Sequence, residues 1–311
     1  MIDINFAEIN PTRLAYRIFG NGKIDVVIES ALGACMGEWF HIAEKLSAAY
    51  TVLLYERGGI NLSKKSIKER TALNIAYELC ELLEHLPHND KIIIIAHSQG
   101  GLYAQQFARL YPEKLKGLIL LDPLSANDNT FKDLLTPDEF KKSGVDKFSR
   151  LGMLKAMAKM HLGFLLKVLM KSAPPFYYYN FEPETKKYIL NSFTKVSTYE
   201  TAMEEYKLAH EEKHIAGLKY KDNFPDIPLM LITHTSELAS KETMEFGGAT
   251  KETADKVENI WQNIMKEYLT FSSQSEFIQA KKSCHYIHLT EPELIENALT
   301  KINNLKLTLP N

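Results

Sequence analysis

Ser98 is the residue whose surroundings most directly promise chemistry. It follows Ile92-Ile93-Ile94-Ile95-Ala96-His97 and precedes Gln99-Gly100-Gly101. The isoleucine run reads as a strand buried on both faces, and the residues after the glycines read as a helix. A serine at a sharp strand-to-helix turn, with small residues two positions away on either side, is the G-x-S-x-G arrangement. The turn forces backbone segments together, so the flanking positions must be small. Here they are Ala96 and Gly100, with alanine in place of the first glycine. The helix N-terminus beneath Ser98 favours negative charge as it develops. The plain alternative is a strand–turn–helix with a chance serine, and the flanking elements weigh against it. A serine at its free pKa is a poor nucleophile and needs a base within hydrogen-bond reach. The chain has 10 histidines. Two of them, His285 and His288, fall together near its end. An acid must orient the base and stabilise its imidazolium. Asp122, at the end of the run Leu118–Leu121, and Glu237, after the run Leu229–Thr233, are the two carboxylates that fit.

The elements that must position these residues alternate. Ile4–Ile9 and Leu14–Phe19 read as strands around the turn signal Asn10-Pro11. Ile24–Ile28, Val52–Tyr55, Ile92–Ala96 and Leu118–Leu121 are short apolar runs of the kind a covered parallel sheet needs. Helical patterns lie between them at Trp39–Ala49, Thr71–His85 and Leu102–Tyr111. Within Thr71–His85 the residues Leu73, Ala76, Tyr77, Cys80 and Leu83 are read as the apolar face. Pro112 stops the third helix. Strand–helix alternation predicts right-handed crossovers and a doubly wound sheet. From about Leu124 to Phe224 only helix-like periodicity appears, divided at Pro174-Pro175. Strand character resumes at Leu229–Thr233. A helix at Ala254–Leu269, a strand at Phe277–Ala280 and a closing helix at Glu293–Asn303 follow. A hundred residues exceed any loop. The expected organisation is a core of residues 1–123 and 225–311 with a helical cap, residues 124–224, inserted after the sixth strand.

At this point the chain resembles the α/β-hydrolase family, in its lid-bearing esterase and aminopeptidase-like branch. Four motifs carry the resemblance: Glu29-Ser30-Ala31-Leu32-Gly33, Tyr55-Glu56-Arg57-Gly58-Gly59, the turn at Ser98, and Cys284-His285-Tyr286. It spans nearly all of the chain outside the cap. The resemblance implies an α/β fold with a mostly parallel central sheet and helices on both faces. It implies the chain order serine, acid, histidine. It places the catalytic histidine at the start of the last segment, which selects His285 over His288, although cysteine stands where the family has glycine. Families of this kind put the acid after either strand. Leu120-Leu121-Asp122-Pro123 looks like the version after the sixth strand and makes Asp122 the first choice. Glu237 sits at the commoner location, as glutamate rather than aspartate. One oxyanion donor is the amide of Gln99, the residue after the nucleophile, and the resemblance places the second at Leu32. Tyr55–Gly59 is read as loop architecture that supports the site.

Composition narrows the function classes. The net charge is −2, with 37 basic and 39 acidic residues, so the basic excess of a nucleic-acid binder is absent. Three cysteines, Cys35, Cys80 and Cys284, make no disulfide framework and no zinc motif. Met1–Asn10 does not read as a signal peptide. Leu151–Met170 is the most membrane-like stretch, but Lys155, Lys159, His161 and Lys167 break it. A cytoplasmic enzyme acting on a small molecule is expected, with no cofactor and no metal. The expected reaction is acyl transfer through an acyl-enzyme on Ser98, and the Leu, Met, Phe and Tyr of the cap favour an apolar substrate such as a carboxylic ester. Two other readings remain open. A proline-iminopeptidase-like enzyme would use a cap carboxylate, Glu204 or Glu205, to hold a substrate amine. A non-catalytic ligand-binding homologue would keep the fold without the chemistry.

Overall fold

The computed structural model describes residues 2–9 and 12–305, so the Asn10-Pro11 turn signal lies outside the described residues. The strands are β1 (Asn5–Ile9), β2 (Thr12–Phe19), β3 (Ile24–Glu29), β4 (Val52–Tyr55), β5 (His88–His97), β6 (Leu115–Leu121), β7 (Leu229–Thr233) and β8 (Ser275–Gln279). They form one sheet in the order β1-β2-β4-β3-β5-β6-β7-β8. The β1/β2 and β2/β4 pairs are antiparallel and the rest parallel. The carboxyl ends of β3, β5, β6, β7 and β8 therefore share one edge, which is where open α/β sheets place their sites.

Both sheet faces are covered. Helices α1 (Phe40–Leu46), α2 (Ala72–Glu84) and α3 (Gly100–Leu110) fall in the first half. Helices α4 (Thr130–Leu134), α5 (Pro137–Lys142), α6 (Phe148–Lys159), α7 (Gly163–Met170), α8 (Pro183–Ser192), α9 (Val196–Leu208) and α10 (Glu212–Ile215) all lie between β6 and β7. Helices α11 (Ser236–Gly247), α12 (Lys251–Glu267), α13 (Ile287–Thr290) and α14 (Glu293–Leu305) follow. The side-chain period of two divides β5 between the two layers. Ile92, Ile94 and Ala96 pack with Leu79 and Leu82 of α2, Phe107 of α3 and Ile264 of α12. Ile93 and Ile95 pack with Ile42 and Leu46 of α1 and Leu299 and Ile302 of α14. Each such buried aliphatic side chain contributes about 1.5–3 kcal/mol relative to exposure, which anchors the strand that carries Ser98.

Three readings change. The buried face of α2 is Ile75, Ala76, Leu79, Leu82 and Leu83, while Leu73 and Tyr77 point outward. Two faces of that sequence offer a helical stripe, and the one with the fuller aliphatic row won. β5 begins at His88, four residues before the apolar run, because main-chain pairing with β3 extends past the buried part. Helix α11 was not anticipated; its only local signals are polar, and none of its residues is buried.

Candidate active site

Ser98 sits between β5 and α3 with φ 54°, in the left-handed region that non-glycine residues avoid. Neighbouring backbone holds it there. Its amide donates to the Leu121 carbonyl at 3.0 Å, and its own carbonyl accepts from Gly101 at 2.9 Å and from Leu124 at 2.8 Å. The two glycines are required by space. A Cβ on Gly100 would lie 2.5 Å from the Glu29 carbonyl oxygen, and one on Gly101 would lie 2.5 Å from Pro123 Cβ. The Ser98 turn is thus clamped between the ends of β3 and β6.

Asp122 leaves the end of β6 with φ 46°, also left-handed, its amide bonded to the Ile232 carbonyl at 2.8 Å. His285 Nδ1 donates to Asp122 Oδ2 at 2.7 Å. Asp122 is buried. Burial works to raise its pKa, but the His234 and His285 rings outweigh it and hold the carboxyl below the usual carboxylate range. His97 donates from Nε2 to the His285 carbonyl at 2.9 Å, tying down the backbone that carries this imidazole. Burial, aided by the nearby His285, lowers the His97 pKa to about 3, so it is a neutral strut. His288 is fully buried, stacked on Trp39 at 4.1 Å, with both ring nitrogens unpartnered among the described residues. It does not meet Asp122. Glu237 lies in the first turn of α11, exposed, and its side chain makes no hydrogen bond or ion pair among the described residues.

After β3 the chain turns through Leu32-Gly33, closed by the Ala34 amide on the Ala31 carbonyl at 3.3 Å, with Gly33 at φ 66°. Leu32 is the first central residue of that turn, a position whose amide points away from the turn's own hydrogen bond. Gln99 caps the N-terminus of α3, where amides lack helical partners.

A family model described as alpha/beta hydrolase fold matches residues 26–151, a stretch that runs from within β3 through β6 and holds Ser98 and Asp122. An AB hydrolase superfamily protein of Gibberella zeae is 22% identical over 323 residues, covering 98% of this chain and 95% of that protein. A proline iminopeptidase of Saccharolobus solfataricus is 29% identical over 147 residues, 45% of this chain and 47% of its own length. A crystal structure of a probable hydrolytic enzyme from Pseudomonas aeruginosa PAO1 superposes with TM-score 0.67 at 18% identity, covering 96% of this chain and 94% of that one. This chain is an α/β-hydrolase-fold protein. That fold accounts for the shared edge of β3, β5, β6 and β8 and for the place of Ser98 on it.

Within this α/β-hydrolase fold, two groups escaped sequence reasoning. The first is a buried ionic network. Arg57 donates from Nη1 to Glu29 at 2.8 Å and to the Ser30 carbonyl at 2.7 Å, and from Nη2 to the Ala31 carbonyl at 3.0 Å. The same guanidinium grips Glu205 of α9 with two bonds, at 3.0 and 2.8 Å. Arg70 in turn pairs with Glu78 of α2 at 2.7 Å and lies 3.7 Å from Glu205. Glu205, one of the two cap carboxylates offered above for a substrate amine, is wholly buried in this network. The second is His234, wedged beside Asp122 at the end of β7. One histidine among ten carries no local signal.

The apolar lining also differs in its source. Met153 and Met160 point outward, at 55% and 68% exposure. The aromatic run approaches the histidine loop and α1 instead: Tyr178 stacks on Tyr286 at 5.1 Å, and Tyr179 stacks on His41 of α1 at 4.3 Å. Among the described residues no group of three His, Cys, Asp or Glu side chains is placed to hold a metal ion, and no helix is long and apolar enough to cross a membrane.

Proposed function

We propose that the protein is a serine hydrolase that cleaves a carboxylic ester, or a related acyl bond, of a small and largely apolar molecule. The observation that carries this reading is the Asp122–His285 pair, 2.7 Å apart, at the same sheet edge as Ser98 on its strained turn. Strain is retained where the surroundings over-determine it, and such sites are commonly functional. Ser98 attacks the acyl carbon while His285 Nε2 takes the Oγ proton. Asp122 keeps the other ring nitrogen protonated, which leaves Nε2 free as the base, and stabilises the imidazolium. The amides of Leu32 and Gln99 receive the oxyanion. His285 then gives its proton to the leaving group, and water resolves the acyl-enzyme by the same steps in reverse. No metal or redox group enters these steps. In this reading residues 124–224 act as a cap, and Phe176, Tyr178, Tyr179 and Tyr286 make an aromatic wall suited to an apolar acyl or aryl group.

The aminopeptidase reading needs a free carboxylate for a substrate amine. Glu205 is engaged by two arginines, and Glu204 accepts from the Arg70 amide at 3.1 Å. Both arrangements favour the esterase reading. The test is labelling with a fluorophosphonate probe and turnover of p-nitrophenyl esters of graded acyl length. Wild type should label, with Ser98→Ala and His285→Ala silent. Labelling that survives Ser98→Ala, or a folded wild type that neither labels nor turns over, would sink the proposal.

A further inference from the structure

Asp122 has a second histidine. The His234 amide donates to Asp122 Oδ1 at 3.0 Å and its ring Nδ1 to Oδ2 at 2.9 Å. The far ring nitrogen, Nε2, meets Glu258 Oε2 of α12 at 2.9 Å. The other Glu258 oxygen accepts from Gln262 at 2.7 Å, and Trp261 stacks on the imidazole at 4.0 Å. Asp122, His234 and Glu258 are all buried.

Proton counting fixes the charge. Carboxylate oxygens accept, and a neutral imidazole has one N–H to give. Here both ring nitrogens face carboxylates, so the His234–Glu258 pair carries one proton beyond a neutral ring and an ionised acid. We propose that His234 is a positioning residue for the reaction at Ser98, an imidazolium that fixes Asp122 while Glu258 balances its charge. The role rests on the serine-hydrolase reading above.

The balance has a purpose that electrostatics supplies. Asp122 alone behind His285 presents one negative charge to the forming imidazolium. A bare cation at His234 would cancel it and weaken the base. Glu258 restores it, so Asp122, His234 and Glu258 together again present a single negative charge, held more rigidly than one carboxylate on a loop. The charged and titratable groups facing His234 are Asp122 from the end of β6, Glu258 from α12 and, across Asp122, His285 from the loop after β8. Burial works to lower the His234 pKa, but Asp122 and Glu258 outweigh it and raise it to about 10.

The experiment is the kcat/KM–pH profile for p-nitrophenyl butyrate in wild type, His234→Gln and the double variant His234→Gln/Glu258→Gln. Removing the cation alone leaves two negative charges near His285. The acid limb should then move up by about one pH unit, the scale of one charge at several ångströms in a protein interior. The double variant restores a single charge and should return the limb to the wild-type position. A merely structural role would lower rates in both variants without moving the limb and bringing it back. An unshifted limb in a folded His234→Gln overturns the positioning role alone, whereas a wild type without Ser98-dependent turnover overturns the hydrolase reading and this role with it. Should His234→Gln fail to fold, ring 15N NMR of the wild type decides. Both His234 nitrogens should remain protonated at pH 8, and a neutral ring there overturns the proposal.

Discussion

Gly100→Ala is the smallest change that tests how the turn at Ser98 is built. The added Cβ would stand 2.5 Å from the Glu29 carbonyl oxygen and 2.8 Å from that of Ser30. Ordinary contact begins near 3.4 Å, so these backbones must separate by about 1 Å, because neither partner is a side chain that can rotate away. Gly100 is two residues past Ser98, and Ser30 is two residues before Leu32. The same shift therefore moves Ser98, the proposed nucleophile, away from one proposed oxyanion donor. A displacement of about 1 Å between reacting groups costs on the order of 100-fold in rate, and overpacking of this size costs about 1–3 kcal/mol of stability. Urea melts and kcat/KM for a p-nitrophenyl ester measure the two effects. Gly217→Ala is the control, since a Cβ there meets nothing within 4 Å. A Gly100→Ala enzyme within twofold of wild type in rate and equal in stability would refute the claim that this contact sets the site.

Asp122→Asn should lower kcat by about ten-thousandfold through the wrong imidazole tautomer, with Glu237→Gln near wild type; comparable losses in the two would reopen the choice of acid. Glu205→Ala leaves Arg57 buried with one of its two carboxylate partners and should destabilise the fold by about 3–5 kcal/mol in chemical denaturation. A loss under about 1 kcal/mol would mean that water reaches the pair. His234 has its pKa raised from 6.5 to about 10. Its contribution to stability is then fully present below about pH 6.5 and fades as pH rises through 10. The urea midpoint of wild type should fall between pH 8 and pH 10.5 more steeply than that of His234→Gln, and parallel curves would contradict the linkage.

The fold was legible because its strands are short apolar runs with little competing signal. Val52–Tyr55 and Leu229–Thr233 are strands with the bounds their composition predicts. Ser98 was legible because its turn needs a strand, small neighbours and a helix in register, all local requirements. What stayed hidden is non-local. Arg57 and Glu205 are separated by 148 residues, and a charged pair on a helix reads as solvated until a partner from another element buries it. His234 and Asp122 are separated by 112 residues and meet only because β6 and β7 are neighbours in the sheet. On α2 the sequence offered two apolar stripes, and only the sheet beneath could choose between them.

Arg57 ties the turn after β3 to a helix that lies 148 residues further along the chain. One guanidinium holds the carbonyls of Ser30 and Ala31, just before the Leu32 turn, and the carboxylate of Glu205 on α9. Swinging α9 outward would strip Glu205 from Arg57 and Arg70, and breaking a buried pair in this way costs about 3–5 kcal/mol. That confines such an opening to roughly one molecule in a few hundred to a few thousand at any instant. α9 is therefore a fixed wall and not a door. In the proposed hydrolase, the traffic of substrate and product would then fall to helices of residues 124–224 that Arg57 does not hold. On that reading, substitutions in those helices would retune which molecules enter while the groups around Ser98 stay where they are.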